Sequence, residues 1–235
     1  MRRVILDTET TGLDHRTGDR VIEIGCVEMV GRRLTGMRFH KYINPEREID
    51  AGAVAVHGLT AEFLADKPRF ADIAAEFLDF IRGAELVIHN AAFDVGFLNS
   101  ELARLDREGL EQGCAGVLDT LRMARELRPG KKNNLNALCG EFGIDNSGRQ
   151  LHGALLDAEL LAEVYLAMTR GQNSLAIEFE AAASAPLAAA GRRLPLLVVT
   201  AGADELADHE RVLVEIARES KGQCLWRDLE RAGSA

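Results

Sequence analysis

The sequence predicts an α/β fold, a mixed β-sheet flanked by helices, followed by a flexible linker and a small C-terminal partner-binding tail. Three observations carry that expectation. Runs of aliphatic and β-branched residues ("VILD", "VIEIGCVEMV", "ELVIHN") have the length and composition of buried strands. Segments such as "FADIAAEFLDFI" place apolar residues at helical spacing. After residue 170 the chain turns rich in alanine and small polar residues, with no sustained apolar face.

The first strand covers residues 4–7 and ends on an acid. Val21–Val30 and residues 34–43 form the next two, joined at Gly31-Arg32 as a hairpin beside the first. Residues 44–60 read as a loop. Phe70–Ile81 is an amphipathic helix stopped by Gly83, and residues 85–90 are a short strand that feeds a helix over 91–105. Two shorter helical stretches cover about residues 120–142, and a long helix spans 152–169. These elements make a first domain of residues 1–170. Residues 171–193 read as the linker. The segment 194–235 holds one strand ("LPLLVVT") and one helix over 203–221. That helix has Leu206, Val212, Leu213 and Ile216 as its apolar stripe and Gly222 as its cap. A segment of about 40 residues rarely builds a core alone, so this tail folds back or folds on a partner.

A net charge of −9 is the wrong sign for gripping nucleic acid by bulk electrostatics. Nucleic-acid chemistry would need bound cations or a partner to hold the substrate. The four cysteines are widely spaced with no C-x-x-C pair, which reads as reduced thiols. Met1-Arg2-Arg3 precedes only three apolar residues, too few for a signal peptide, and "LPLLVVT" is too short to span a bilayer. The expectation is a soluble, cytoplasmic protein without membrane contact.

Asp7 and Glu9 stand two apart at the end of a core strand, so their side chains project to the same side. A lone D-x-E is more often a solvated strand end. Two further places change the balance. In "VIHNAAFDVGF" a buried strand again leads to an acid, Asp94, in a first helical turn, where the helix dipole alone would favour one. In "LHGALLDAELL" His152 precedes Asp157 by five residues, about 140° on a helix, so both reach one site only if His152 lies on the approaching loop. Asp157 sits among Leu155, Leu156, Leu160 and Leu161, where an unpaired charge is costly; the competing reading is a solvent-facing acid. If the four acids converge, they cannot all ionise without cations. Oxygen donors without cysteine select Mg²⁺ or Mn²⁺, and two such ions suit phosphodiester cleavage. A neighbouring histidine can take the proton of an attacking water.

At these residues the chain resembles a known family. "LDTETTG", "HNAAFDVGF" and "LHGALLDAELLAEVY" are similar to the three motifs of the DEDDh 3′–5′ exonucleases, which share a ribonuclease-H-like fold. Each motif alone is moderately specific; the three in order are highly so. The likeness extends through "VHGLTAEFL" and "PGKKNNLNALC" and resumes in "ADELADHE" and "CLWR", towards the proofreading members that serve bacterial replicative polymerases. It implies that Asp7, Glu9, Asp94 and Asp157 ligate two divalent cations, Asp7 bridging them, and that His152 is the general base. It also implies that Thr8, Thr10, Gly12 and Leu13 hold the terminal nucleotide of a DNA 3′ end. Val56 and His57 would contact its sugar and phosphate, and Phe93 would pack its base. Where relatives can present an acid five residues before His57, this chain has Gly52.

"QNSLAI" is similar to sliding-clamp-binding peptides, with Gln172, Leu175 and Ile177 in the pattern. By the same resemblance the 194–235 tail, with Trp226, docks on the polymerase subunit, and a small accessory subunit on the main domain is left open. Tethering offsets the acidic charge by raising effective concentration at the primer end. Two competing readings are a free-standing RNA 3′-trimming exonuclease, which would need no tail, and a catalytically silent clamp–polymerase scaffold, against which the intact acids count.

Overall fold

The computed structural model describes residues 1–149, 151–170, 201–220, 224 and 226. It divides into two compact units, Met1–Ala176 and Ile177–Ala235. In the first, β1 (Arg2–Thr10), β2 (Val21–Val30), β3 (Arg33–Tyr42), β4 (Glu85–Ile88) and β5 (Gly116–Asp119) form one sheet ordered β3-β2-β1-β4-β5. β1, β2 and β3 pair antiparallel as the predicted hairpin and its neighbour, while β4 and β5 run parallel to β1. The sheet is mixed, as expected.

Helices cover both faces, and this explains the unbroken aliphatic runs of β1 and β4. Val4, Leu6, Leu86 and Ile88 pack towards α3 (Phe70–Ile81) and α4 (Ala91–Ala103). Ile5 and Val87 point the other way, towards α5 (Thr120–Leu127), α6 (Leu135–Phe142) and α7 (Ala154–Met168). Strand alternation thus feeds two cores from one ladder.

Three readings are corrected. The stretch taken as a loop over 44–60 contains α1 (Ala51–His57) and runs into α2 (Ala61–Leu64). α1 buries only His57, so it carries no apolar stripe to announce it. β5 is absent from the expectation because it is an edge strand of four residues whose Val117 is exposed, leaving no buried run to detect. The last helix starts at Ala154, so His152 lies on the loop before it. That is the arrangement in which His152 and Asp157 can share a site.

In the second unit, α8 (Ala203–Glu219) begins where expected. Of its proposed stripe only Leu213 is buried; Leu206, Val212 and Ile216 are exposed. Trp226 is exposed and meets His209 edge-on at 6.3 Å. The expected linker with Gln172, Leu175 and Ile177, the "LPLLVVT" strand and the Gly222 cap lie outside the described residues. Among the described residues no helix is long and apolar enough to cross a membrane, and the four cysteines are free.

Candidate metal and nucleotide site

Asp7 lies opposite Gly25 in the β1–β2 ladder, and a register shift between Glu9 and Thr10 ends regular pairing there. A Cβ on Gly25 would stand 2.2 Å from the backbone at Ala154 and Leu155. The first turn of α7 therefore rests directly on the strand beside Asp7, and it carries Asp157 to the same place. Asp94 arrives from the other layer. Asn90, with φ of 66°, lets the chain leave β4 and enter α4 within two residues, a conformation asparagine tolerates better than most. The Thr8 N–H and Oγ1 then donate to Asp94 Oδ1 at 3.1 and 2.7 Å.

The predicted set meets. Asp7, Glu9, Asp94, His152 and Asp157 line one cavity of about 370 Å³. Glu9, His152 and Asp157 each offer a ligand atom within 4.8 Å of the others, a tighter group that does not include Asp7 or Asp94. Burial is the main force on these carboxyls. It lifts Asp7 well above the usual range, helped by Asp94, Asp157 and Glu9. Burial, then repulsion from Asp157 and Glu23, raises Glu9 from 4.5 to about 8. Asp94 rises from 3.8 to about 7 through burial, against the Thr8 hydrogen bonds. Burial and the Arg149 charge push the His152 imidazole below its ordinary value.

Arg149 is the functional candidate that sequence reasoning missed. Its buried guanidinium forks onto Asp157, with Nε to Oδ1 and Nη2 to Oδ2 at 2.5 Å each, and Nη2 also donates to His152 Nδ1 at 3.0 Å. Nη1 donates to Asn136 Oδ1 at 2.8 Å. The available signal was a lone arginine three residues before His152 in "SGRQLHG". Buried oxygens this crowded, with a protein cation already drawn onto one of them, fit hard divalent cations.

A second cavity, of about 420 Å³, shares Thr8, Glu9 and Phe93 with the first. Thr10, Gly12, Leu13, Val56 and His57 line it, so the residues expected around a terminal nucleotide are together. Leu13 is 85% exposed and Val56 44%, which rules out ordinary core packing for both. His57 is buried; its Nδ1 accepts from the Leu59 N–H at 3.0 Å, so the proton of a neutral ring sits on Nε2, which is buried and has only a poorly aligned acceptor in the Thr10 backbone. Gly52 lines this cavity too; besides the shared Glu9, the acid on its wall is Asp50, two positions earlier. The His152 N–H donates to the Val56 carbonyl at 3.0 Å and ties the two cavities together.

Comparison with known proteins gives a consistent picture. The exonuclease family pattern matches residues 4–165. DNA polymerase III subunit epsilon of Pasteurella multocida is 50% identical over 235 residues, 96% of this chain and 93% of that relative. The Escherichia coli protein of the same name is 50% identical over 237 residues, 96% of this chain and 97% of its own. Among solved structures, exonuclease X in complex with 5′-overhanging duplex DNA superposes with a TM-score of 0.56 at 26% identity, covering 72% of this chain and 91% of that one.

Proposed function

This chain belongs to the exonuclease family, among the epsilon subunits of DNA polymerase III, and we propose how its own residues carry out the activity. It is a 3′–5′ proofreading exonuclease that hydrolyses the 3′-terminal phosphodiester of DNA and releases nucleoside 5′-monophosphates. Asp7, Glu9, Asp94 and Asp157 would hold two divalent cations, Mg²⁺ or Mn²⁺. When bound, such ions activate water and stabilise the attacking and leaving oxygens. His152 takes the proton from the water. For that, Arg149 has to release His152 Nδ1, because a guanidinium only donates and its bond occupies the lone pair that the proton needs.

The terminal nucleoside sits in the second cavity, held around Thr8, Thr10, Gly12 and Leu13. His57 Nε2, held only weakly by the Thr10 backbone, offers its N–H to a sugar or phosphate oxygen, Val56 packs against the sugar, and Phe93 packs against the base. Packing contacts accept any base, which suits an enzyme that removes whichever nucleotide is wrong.

One observation carries this reading: five residues from three distant segments line a single cavity, and it opens beside one lined by the expected nucleotide contacts. The test is digestion of a 5′-labelled primer with a mismatched 3′ end, comparing the parent chain with Asp7→Ala in Mg²⁺, Mn²⁺ and EDTA. Loss of several kcal/mol of barrier stabilisation predicts a drop of roughly a thousandfold or more. A fully active Asp7→Ala enzyme, or activity indifferent to EDTA, would discard the assignment.

We also infer that the protein acts in the cytoplasm within a polymerase complex. Residues 194–235 dock on the alpha subunit, and Gln172, Leu175 and Ile177 on the sliding clamp. The relatives' likeness over 96% of the chain and the exposed apolar residues of α8 support the docking. Removal of 194–235 should abolish co-purification with alpha while sparing nuclease activity.

A further inference from the structure

The strand that feeds the site must leave it somewhere. With the terminal nucleoside in the second cavity and the scissile phosphate over the carboxylates, the rest of the strand departs on the far side of the catalytic cavity. A third cavity, of about 500 Å³, lies there: it shares His89 and Asn134 with the catalytic cavity and no wall residue with the nucleotide cavity. Its chemistry is the reverse of its neighbour's. Arg125 and Lys131 line it with the amides Asn90 and Asn133, and no carboxylate is on its wall.

The sequence around this cavity is the basic stretch of an acidic protein. Residues 120–134 hold Arg122, Arg125, Arg128, Lys131 and Lys132 against one acid, Glu126, in a chain of net charge −9. Arg128 is engaged, donating to Glu141 at 2.8 Å, and Lys131 reaches the same carboxylate only at 3.4 Å. Arg125 is exposed and has no ion pair among the described residues. Arg125 thus leaves an unpaired guanidinium at this cavity, and the mutual repulsion of the gathered cations is a cost that a bound polyanion would relieve.

We propose that this cavity, through Arg125 and Lys131, holds the phosphodiester backbone of the single strand immediately 5′ of the scissile bond. The proposal rests on the exonuclease reading above. It makes the three cavities one track: nucleoside, scissile phosphate, upstream phosphates. Such contacts are blind to sequence, which a proofreading site requires.

The experiment uses the full chain with Mn²⁺, comparing the parent with the double variant Arg125→Gln/Lys131→Gln on two substrates. One is a decathymidylate; the other is the p-nitrophenyl ester of thymidine 5′-monophosphate, which has no upstream strand. Two lost phosphate contacts should lower the salt slope of kcat/KM on the oligonucleotide by about 1.4. Between 50 and 200 mM salt the parent then loses about sevenfold more than the variant. The oligonucleotide-to-ester ratio of kcat/KM falls in the variant, with the change in KM, and Arg125→Lys retains the parental slope. Identical salt slopes overturn the proposal, as does a parallel fall on both substrates. A parent chain inactive on both would overturn the exonuclease reading itself, a failure distinct from a flat slope.

Discussion

Arg149 holds Asp157 and His152 at once, forking onto the carboxylate at 2.5 Å and donating to the imidazole Nδ1 at 3.0 Å. In the metal-free protein this guanidinium is the counter-charge that a buried Asp157 needs. Arg149→Met should therefore destabilise the metal-free fold by about 3–5 kcal/mol, the usual cost of orphaning one member of a buried pair. Saturating Mn²⁺ should recover much of that loss, because the cation takes over the carboxylate. Thermal unfolding in EDTA and in Mn²⁺ checks it; an equal Tm drop in both would show that Arg149 is merely structural.

The crowded carboxyls make stability depend on pH and metal together. Glu9 rises from 4.5 to about 8 and Asp94 from 3.8 to about 7, so both bind protons more tightly folded than unfolded. Such groups stabilise the fold most at low pH, and the contribution fades as pH rises through those intervals. In EDTA the Tm should fall between about pH 5 and pH 8 from these groups, and Mn²⁺ should raise it more at the upper end than at the lower. A metal-induced shift that shrinks as pH rises would contradict the assignment.

Gly25 sets how closely α7 lies on the sheet. Gly25→Ala puts a methyl 2.2 Å from the helix backbone, so the helix must lift and carry Asp157 away from Asp7. The expected cost is about 1–3 kcal/mol of stability. A loss of kcat should accompany it, since misplacing a catalytic group by about 1 Å can cost roughly a hundredfold. Unchanged kcat with lowered Tm would separate Gly25 from the chemistry.

His152→Gln should lower kcat by about 10²- to 10⁴-fold, the range for losing a general base, with little change in DNA binding. Burial and Arg149 hold the imidazole below its ordinary pKa, so it stays neutral to a lower pH than a free histidine. The parental acid limb should accordingly lie below about pH 6.5, and the variant should lack it. An acid limb that survives in His152→Gln would assign the base elsewhere.

What the sequence made legible follows from what it can encode locally. The aliphatic runs of β1 and β4 and the helical period of α3 announce buried elements; α3 has the expected bounds, β1 runs on past Asp7 to Thr10, and β4 stops at Ile88. Asp7 and Glu9 were readable because a strand has a fixed alternation, and His152 because only a loop position lets it share a site with Asp157. β5 and α1 were not, since neither buries an apolar face of its own. Arg149 escaped for a different reason. Its meaning lies in partners eight, three and thirteen residues away, and no local period reports a side chain that folds back into a cavity.

The link between the His152 N–H and the Val56 carbonyl has a mechanical consequence. The cavity wall at Val56 and the loop that carries His152 are joined by this bond, so displacing one strains the position of the other. Alignment for cutting becomes a report on how well the end has docked. A hydrolase working beside a polymerase needs that restraint, because intact primer passes within its reach far more often than a mistake does.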